Sequence, residues 1–286
     1  MEQIRLRTFE PTYGEFYPPF VSWNNGSKTY KNIQIVHDDS YTHAAVYNLY
    51  YGEIKVPKKN VVGFITEPYE TYNLKDYVAY ADKNIGTFFC HDATGLSSTF
   101  KGGIPFLGPI AGTNQFVNEP KTRKMSFLVS SKQFFAGHAL RHRLLRKILQ
   151  SNLDIDIYGH QLEHMYRDPR VKGTIDDKRK ALVPYRFTIA IENVPYAYWV
   201  TEKYYDPLMM GCVPIYWGAS QINNIFSPHA HINLPLVYDE NIIFEHIKNI
   251  YERPQLFDHI TPFIGQQILK ERVNMPEFLF RHFNAT

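Results

Sequence analysis

Residues 185–218 read YRFTIAIENVPYAYWVTEKYYDPLMMGCVPIYWG. Phe187 to Ile191 is a short apolar run with β-branched members, which reads as a buried strand. Glu192 and Asn193 fall where that strand should end. Pro195 and the aromatics Tyr196, Tyr198 and Trp199 make a loop. Thr201 is placed to cap a helix, with Glu202 putting negative charge near its positive end. Gly211 is placed to stop that helix. Val213 to Trp217 is a second apolar strand, closed by Gly218. Strand, loop, helix and strand in this order form a βαβ unit. Ligands in such sheets bind where the carboxyl ends of strands meet helix N-termini. Here that edge carries Glu192, Asn193, Glu202 and Lys203. The lysine suits a phosphate, and the carboxylate beside it suits a sugar or ribose hydroxyl.

Outward from this stretch, strands and helices alternate along the chain, which predicts mostly parallel sheets with helices on both faces. Toward the amino terminus, strands are expected at Ile4 to Phe9, Tyr30 to His37, Asn60 to Thr66, Asp76 to Tyr80 and Ile85 to Phe89. A helix over Thr42 to Tyr50, capped by Ser40, is expected between them. The polar and basic run from Asn118 to Lys124 reads as a linker. Beyond it come a strand at Met125 to Ser130, a helix from Gly137 to Ser151 and a strand at Asp154 to Tyr158. Downstream of Gly218, helices are expected over Asn241 to Tyr251 and Pro254 to Arg272. The division predicted is a first α/β domain over residues 1–124 and a second over 125–286.

Composition excludes several classes. Of 286 residues, 44% are hydrophobic and 21% charged, so the chain is globular rather than disordered. A net charge of +3 does not support a nucleic-acid binder. Cys90 and Cys212 each follow apolar residues and read as buried small hydrophobes, which favours a reducing compartment. No apolar run approaches the ~20 residues of a membrane-spanning helix, and no signal-peptide pattern opens the chain. The expectation is a soluble, cytoplasmic protein.

The motif E-N-x(7)-T-E-K, followed after ten residues by P-I-Y-W-G, resembles the donor-binding signature of the α1,3/4-fucosyltransferases. The residues that carry it are Glu192, Asn193, Thr201, Glu202, Lys203 and Pro214 to Gly218. The resemblance implies an inverting enzyme of the α/β GT-B fold, with two Rossmann-like domains whose parallel sheets face across a cleft. The first would bind the acceptor and the second GDP-fucose, with the carboxyl-terminal helix crossing back as in many GT-B enzymes. The absence of an amino-terminal anchor makes it similar to the soluble bacterial and viral-type members. The resemblance further implies donor binding by Arg141, Glu192, Asn193, Trp199, Val200, Thr201, Glu202 and Lys203, with Arg143 a rival to Arg141.

Sugar transfer with inversion needs a base for the acceptor hydroxyl and cations for the diphosphate leaving group. Glu67 ends an apolar strand and lies in a segment, Phe64 to Tyr77, that resembles the family's acceptor-domain segment carrying the general base. That segment is shorter here, which leaves Glu70 as a rival. Glu202 is expected to bind hydroxyls of the nucleotide sugar and hold developing positive charge. No metal or other cofactor is expected to be required. Asp154-Ile155-Asp156 is a D-x-D whose carboxylates share a face of the expected strand and could hold a metal. But relatives have a similar V-D-V-Y-G strand and need no such site, and no other carboxylate lies close in sequence. His160 and His164 lack a third ligand, and Lys178-Arg179-Lys180 reads as a solvated face. The reading is thus an α1,3-fucosyltransferase acting on a GlcNAc-containing glycan. The alternatives are a GT-B transferase with another nucleotide-sugar donor, or a carbohydrate-binding protein on that fold.

Overall fold

The computed structural model describes residues 2–11, 18–66, 73–103 and 115–285; the side chains of residues 18, 19 and 22 are not described. The chain divides into two compact units. The first comprises Met1–Asn114, Tyr196–Trp199 and Leu269–Thr286, and the second Gln115–Pro195 and Val200–Ile268. The polar run at residues 118–124 groups with the second unit, which begins at Gln115. Lys121 explains why: its ammonium donates to the carbonyls of Val183 (2.8 Å) and Met210 (2.7 Å). The last eighteen residues group with the first unit rather than the second.

The first unit is built on a seven-stranded sheet. Its elements are β1 (Ile4–Phe9), α1 (Pro18–Trp23), β2 (Thr29–Tyr30), β3 (Ile33–Ile35), β4 (His43–Tyr47), β5 (Val61–Phe64), α2 (Leu74–Asn84), β6 (Thr87–Cys90) and β7 (Phe100–Gly102). The strand order is β2-β3-β1-β4-β5-β6-β7, parallel except for the β2–β3 hairpin. Three expectations fail in this unit. The strand expected over residues 30–37 is instead the β2–β3 hairpin, turned at residues 31–32 with Lys31 in the left-handed region (φ 50°). Residues 42–50 are not a helix, because Ala44, Ala45, Val46 and Tyr47 are fully buried and β4 pairs in parallel with both β1 and β5. A strand closed in by neighbours on both edges overrides the helix propensity of two alanines. Residues 76–80 are not a strand but the middle of α2. The Asn73 side chain caps this helix by accepting from the Lys75 N–H, and Leu74, Tyr77 and Ala81 form its buried face. That spacing is helical, and a five-residue window was too short to reveal it.

The second unit carries a six-stranded, all-parallel sheet. Its elements are β8 (Arg123–Leu128), α3 (Ala136–Leu149), β9 (Asp156–Tyr158), α4 (Leu162–Met165), β10 (Val171–Gly173), β11 (Tyr185–Ile191), α5 (Glu202–Met209), β12 (Val213–Trp217), β13 (Ile232–Asn233), α6 (Glu240–Glu252) and α7 (Pro262–Ile268). The order is β10-β9-β8-β11-β12-β13. Counted from β8, this is the 3-2-1-4-5-6 order of doubly wound nucleotide-binding sheets. The period-two alternation of β11 and β12 sorts the two faces. Phe187, Ile189, Ile191, Val213, Ile215 and Trp217 share a core with apolar residues of α3 and α6. Tyr216 instead meets the Tyr204 ring of α5 at 4.8 Å. The helix expected over residues 254–272 is broken into a 3-10 turn, Pro254–Phe257, then α7 and a π-helical turn, Leu269–Val273. Pro262 opens α7, as a proline without an N–H favours. The chain ends in α8 (Met275–Asn284), part of the first unit. Among the described residues no helix is long and apolar enough to cross a membrane. Cys90 and Cys212 are both buried.

Candidate active site

In the second unit, β8 and β11 lie side by side while the chain leaves them for helices on opposite faces. The crevice at their carboxyl ends is the switch point where ligands of such sheets bind. Glu192 and Asn193 leave β11 there, and α3 begins there. Gly137, in the first turn of α3, docks directly on that exit. Its N–H donates to the Asn193 carbonyl at 2.9 Å, and a β-carbon would lie 2.0 Å from the Glu192 carbonyl oxygen. One turn on, Arg141 is buried. It donates from Nη2 to Asn193 Oδ1 (2.5 Å) and from Nε to the Gly137 carbonyl (3.2 Å). Two of its five N–H donors are thereby committed among the described residues. Burial lowers its pKa to about 10, against the pull of Glu192 and Glu202, so it stays charged at neutral pH. Arg143, the rival, lies on another face of α3. It pairs with Glu240 (2.9 Å) and donates to the Tyr238 carbonyl.

Helix α5 starts at Glu202, with Thr201 as its cap and Pro207 accommodated inside it. Glu192 fixes that cap. Its Oε1 accepts from the Thr201 N–H (2.8 Å) and its Oε2 from the Thr201 hydroxyl (2.7 Å). The fully buried Glu192 is therefore a clip between β11 and α5. Val200 and Thr201 are equally enclosed. Lys203 reaches back over the first turn, 3.0 Å from Glu202 Oε1 and 3.7 Å from Glu192 Oε2. Burial acts to raise the Glu202 carboxyl, but Lys203 and Lys178 outweigh it and hold the group down at about 2. Glu202 is thus ionised at any working pH.

Two participants escaped the sequence reading. Lys178 is no part of a solvated face. Its ammonium lies 2.6 Å from Asp206 Oδ2, and Asp206 is completely buried inside α5. Lys178, Glu202, Lys203, Leu128 and Pro207 line one recess. The signal available in the sequence was Asp206 itself, since an aspartate amid Tyr204, Tyr205 and Leu208 needs a cation. His138 is the second. Its Nδ1 accepts from the Phe135 N–H (3.1 Å). Burial first, then Arg141, Lys203 and Lys132, lower its pKa to about 4, so the ring is a neutral acceptor.

Other residues singled out from sequence lie elsewhere. Trp199 belongs to the first unit, edge-on to His91 with ring centroids 4.2 Å apart. Glu67 and Glu70 lie outside the described residues. Asp156 is held by Lys172 (3.1 Å) and the Tyr185 hydroxyl (2.7 Å), while Asp154 precedes β9 and is exposed, so the two share no strand face. His160 and His164 are both exposed, and His160 precedes α4.

Residues 118–259 match the family model described as Glycosyltransferase family 10 (fucosyltransferase) C-term. That span contains the whole cluster just described. A stretch of 76 residues is 36% identical to a putative fucosyltransferase of Acanthamoeba polyphaga mimivirus, covering 27% of this chain and 13% of that protein. A stretch of 99 residues is 33% identical to GDP-fucose protein O-fucosyltransferase 3 of Danio rerio, covering 33% of this chain and 20% of the relative. These matches therefore span a fifth or less of the relatives' own length. Among solved structures, an α1,3-fucosyltransferase with GDP superposes with a TM-score of 0.56 at 14% identity, covering 90% of this chain and 80% of that one. The fold is GT-B, an α/β architecture with parallel sheets.

Proposed function

We propose that this chain transfers L-fucose from GDP-fucose to a hydroxyl of a GlcNAc-containing glycan, with inversion and in α1,3 linkage. The observation that carries the reading is the meeting of Arg141, Asn193, Glu202 and Lys203 at the switch point of a unit that matches the fucosyltransferase family model. Arg141 and Lys203 supply positive charge for a diphosphate, as expected of a site that stabilises a phosphate leaving group. Asn193 orients Arg141. Glu202, held ionised, accepts from donor hydroxyls and faces the positive charge that develops at the sugar. Glu192 acts one step back, by fixing Thr201 and with it the start of α5. Trp199 and Val200 are assigned to the donor side by motif position.

In the reaction proposed, the acceptor oxygen bonds to the fucose anomeric carbon as the bond from that carbon to the phosphate oxygen breaks. The electron pair leaves with GDP, and Glu67 takes the acceptor proton, with Glu70 the rival. No metal is needed for this assignment, since two cations already serve the leaving group. The test is GDP release from GDP-fucose in EDTA, with GDP-mannose and UDP-GlcNAc as controls and LacNAc-type and chitobiose-type acceptors. Release from GDP-fucose alone, stimulated by one acceptor, is expected. Release from another donor would replace the sugar in this proposal. Failure to bind any guanine nucleotide would overturn it in favour of a carbohydrate-binding role. Glu67→Ala should abolish transfer and leave GDP binding intact.

A further inference from the structure

A histidine in the first turn of α3 has a nitrogen to spare. His138 follows Gly137, the residue docked on the exit of β11, and precedes Arg141 by three positions. Residues three apart on a helix are neighbours, and the Arg141 guanidinium acts on the His138 ring. The ring is nearly buried, with 4% exposure. Two contacts fix it. Nδ1 accepts from the Phe135 N–H at 3.1 Å. The Phe135 ring stacks on it, with centroids 5.5 Å apart and planes 20° from parallel. The Phe134 ring meets it edge-on at 6.4 Å.

The main-chain donor decides the tautomer. A nitrogen that accepts from an N–H carries no proton, so in the neutral ring the proton sits on Nε2. Nε2–H meets no acceptor among the described residues. It is not sealed from solvent either, so a ligand can reach it. The groups that act on the ring are Arg141, Lys203, Lys132 and His142. Arg141 belongs to α3 and Lys203 to α5, the two helices that start at the switch point. The three cations offer Nε2–H no acceptor, and a nearly buried N–H without one is costly. An anion would relieve that cost.

We infer that His138 is a further binding residue for a nucleoside diphosphate: its Nε2–H donates to a phosphoryl oxygen held by the charges of Arg141 and Lys203. The inference rests on the proposed placing of the diphosphate at that cluster. The three groups act differently. Two cations attract the diphosphate, whereas a fixed N–H bonds one oxygen and so sets the group's orientation. The arrangement needs a neutral ring, since a proton on Nδ1 would break the bond from the Phe135 N–H. Burial and the surrounding cations keep it neutral.

Asparagine and glutamine separate the two nitrogens. An asparagine side chain reaches the position of Nδ1 but not that of Nε2, and glutamine does the reverse. His138→Asn keeps an acceptor for the Phe135 N–H and loses the phosphate donor. It should weaken GDP binding about 10- to 100-fold in calorimetry, the range of a hydrogen bond to a charged group. His138→Gln keeps a donor at the Nε2 position and should stay within about threefold of wild type. A histidine that served only the helix start would give the opposite order, and that result would overturn the inference. Wild-type affinity in both variants, or equal loss in both, would overturn it too. Arg141→Ala and Lys203→Ala run in parallel keep the premise apart. If these lose GDP and His138→Asn does not, the cluster stands and the inference falls. UDP is the second probe. If UDP binds and GDP does not, with the asparagine variant again the weaker, the donor changes and the inference holds. If neither binds, both fall.

Discussion

Lys178 and Asp206 set the terms at the scale of single residues. Asp206 has no exposure, and its second oxygen, Oδ1, has no hydrogen-bond partner among the described residues. Its charge is tolerable only because Lys178 is 2.6 Å away. Replacing the lysine by methionine leaves the carboxylate buried without its cation, a change that typically costs about 3–5 kcal/mol. Because Lys178 keeps about a quarter of its side-chain exposure, the lower end applies. The double variant Lys178→Met/Asp206→Asn should regain most of that loss in urea denaturation. Lys203→Ala should behave otherwise. It should weaken GDP binding by at least about tenfold in calorimetry, an effect of the size expected for a charge-assisted contact. The same variant should shift the unfolding midpoint far less than Lys178→Met.

The junction between β11, α3 and α5 is governed by two small features, Gly137 and Thr201. A β-carbon at residue 137 would collide with main-chain carbonyls that side-chain rotation cannot move. Gly137→Ala should therefore push α3 off the strand end, break the Arg141–Asn193 bond and abolish GDP binding in calorimetry. Thr201→Ala should cost about 1 kcal/mol for the cap, and roughly 1–3 more for Glu192 Oε2, which loses the hydroxyl while Oε1 keeps the backbone N–H, by thermal unfolding. The motif from Glu192 to Gly218 was legible because its chemistry is local. A cap, a clip and a strand end lie within one βαβ unit, and their spacing encodes them. The start of α5 at Glu202 was legible for the same reason, despite Pro207. What was not legible depends on distant pairing. Residues 43–47 became a strand because β1 and β5 flank them. Lys178 acquired a role because the chain brings it to Asp206, twenty-eight residues on. Arg141 and Arg143 look alike in sequence, and only the face of α3 each occupies tells them apart.

Taken as a whole, the molecule should lose stability on mild acidification. His138 and His231 are buried neutral rings, each lowered to about 4, with burial the leading cause in both. Between the ordinary histidine value of 6.5 and about 4, the unfolded chain binds these protons and the folded chain does not. Stability from each ring is therefore fully present above 6.5 and declines as pH falls through that window. Glu192 and Asp206, raised by burial, act in the opposite sense. The urea midpoint should drop from pH 7 to pH 5, and His231→Gln should flatten that slope. A different consequence follows from the last eighteen residues. Glu277 on α8 accepts from the Tyr30 hydroxyl (2.8 Å) and Lys31 (2.7 Å), partners 247 and 246 residues away in the chain. During synthesis the first unit's opening strands are made early, and α8 only after all of the second unit has been made. The first unit thus cannot complete its packing until the second unit has been made.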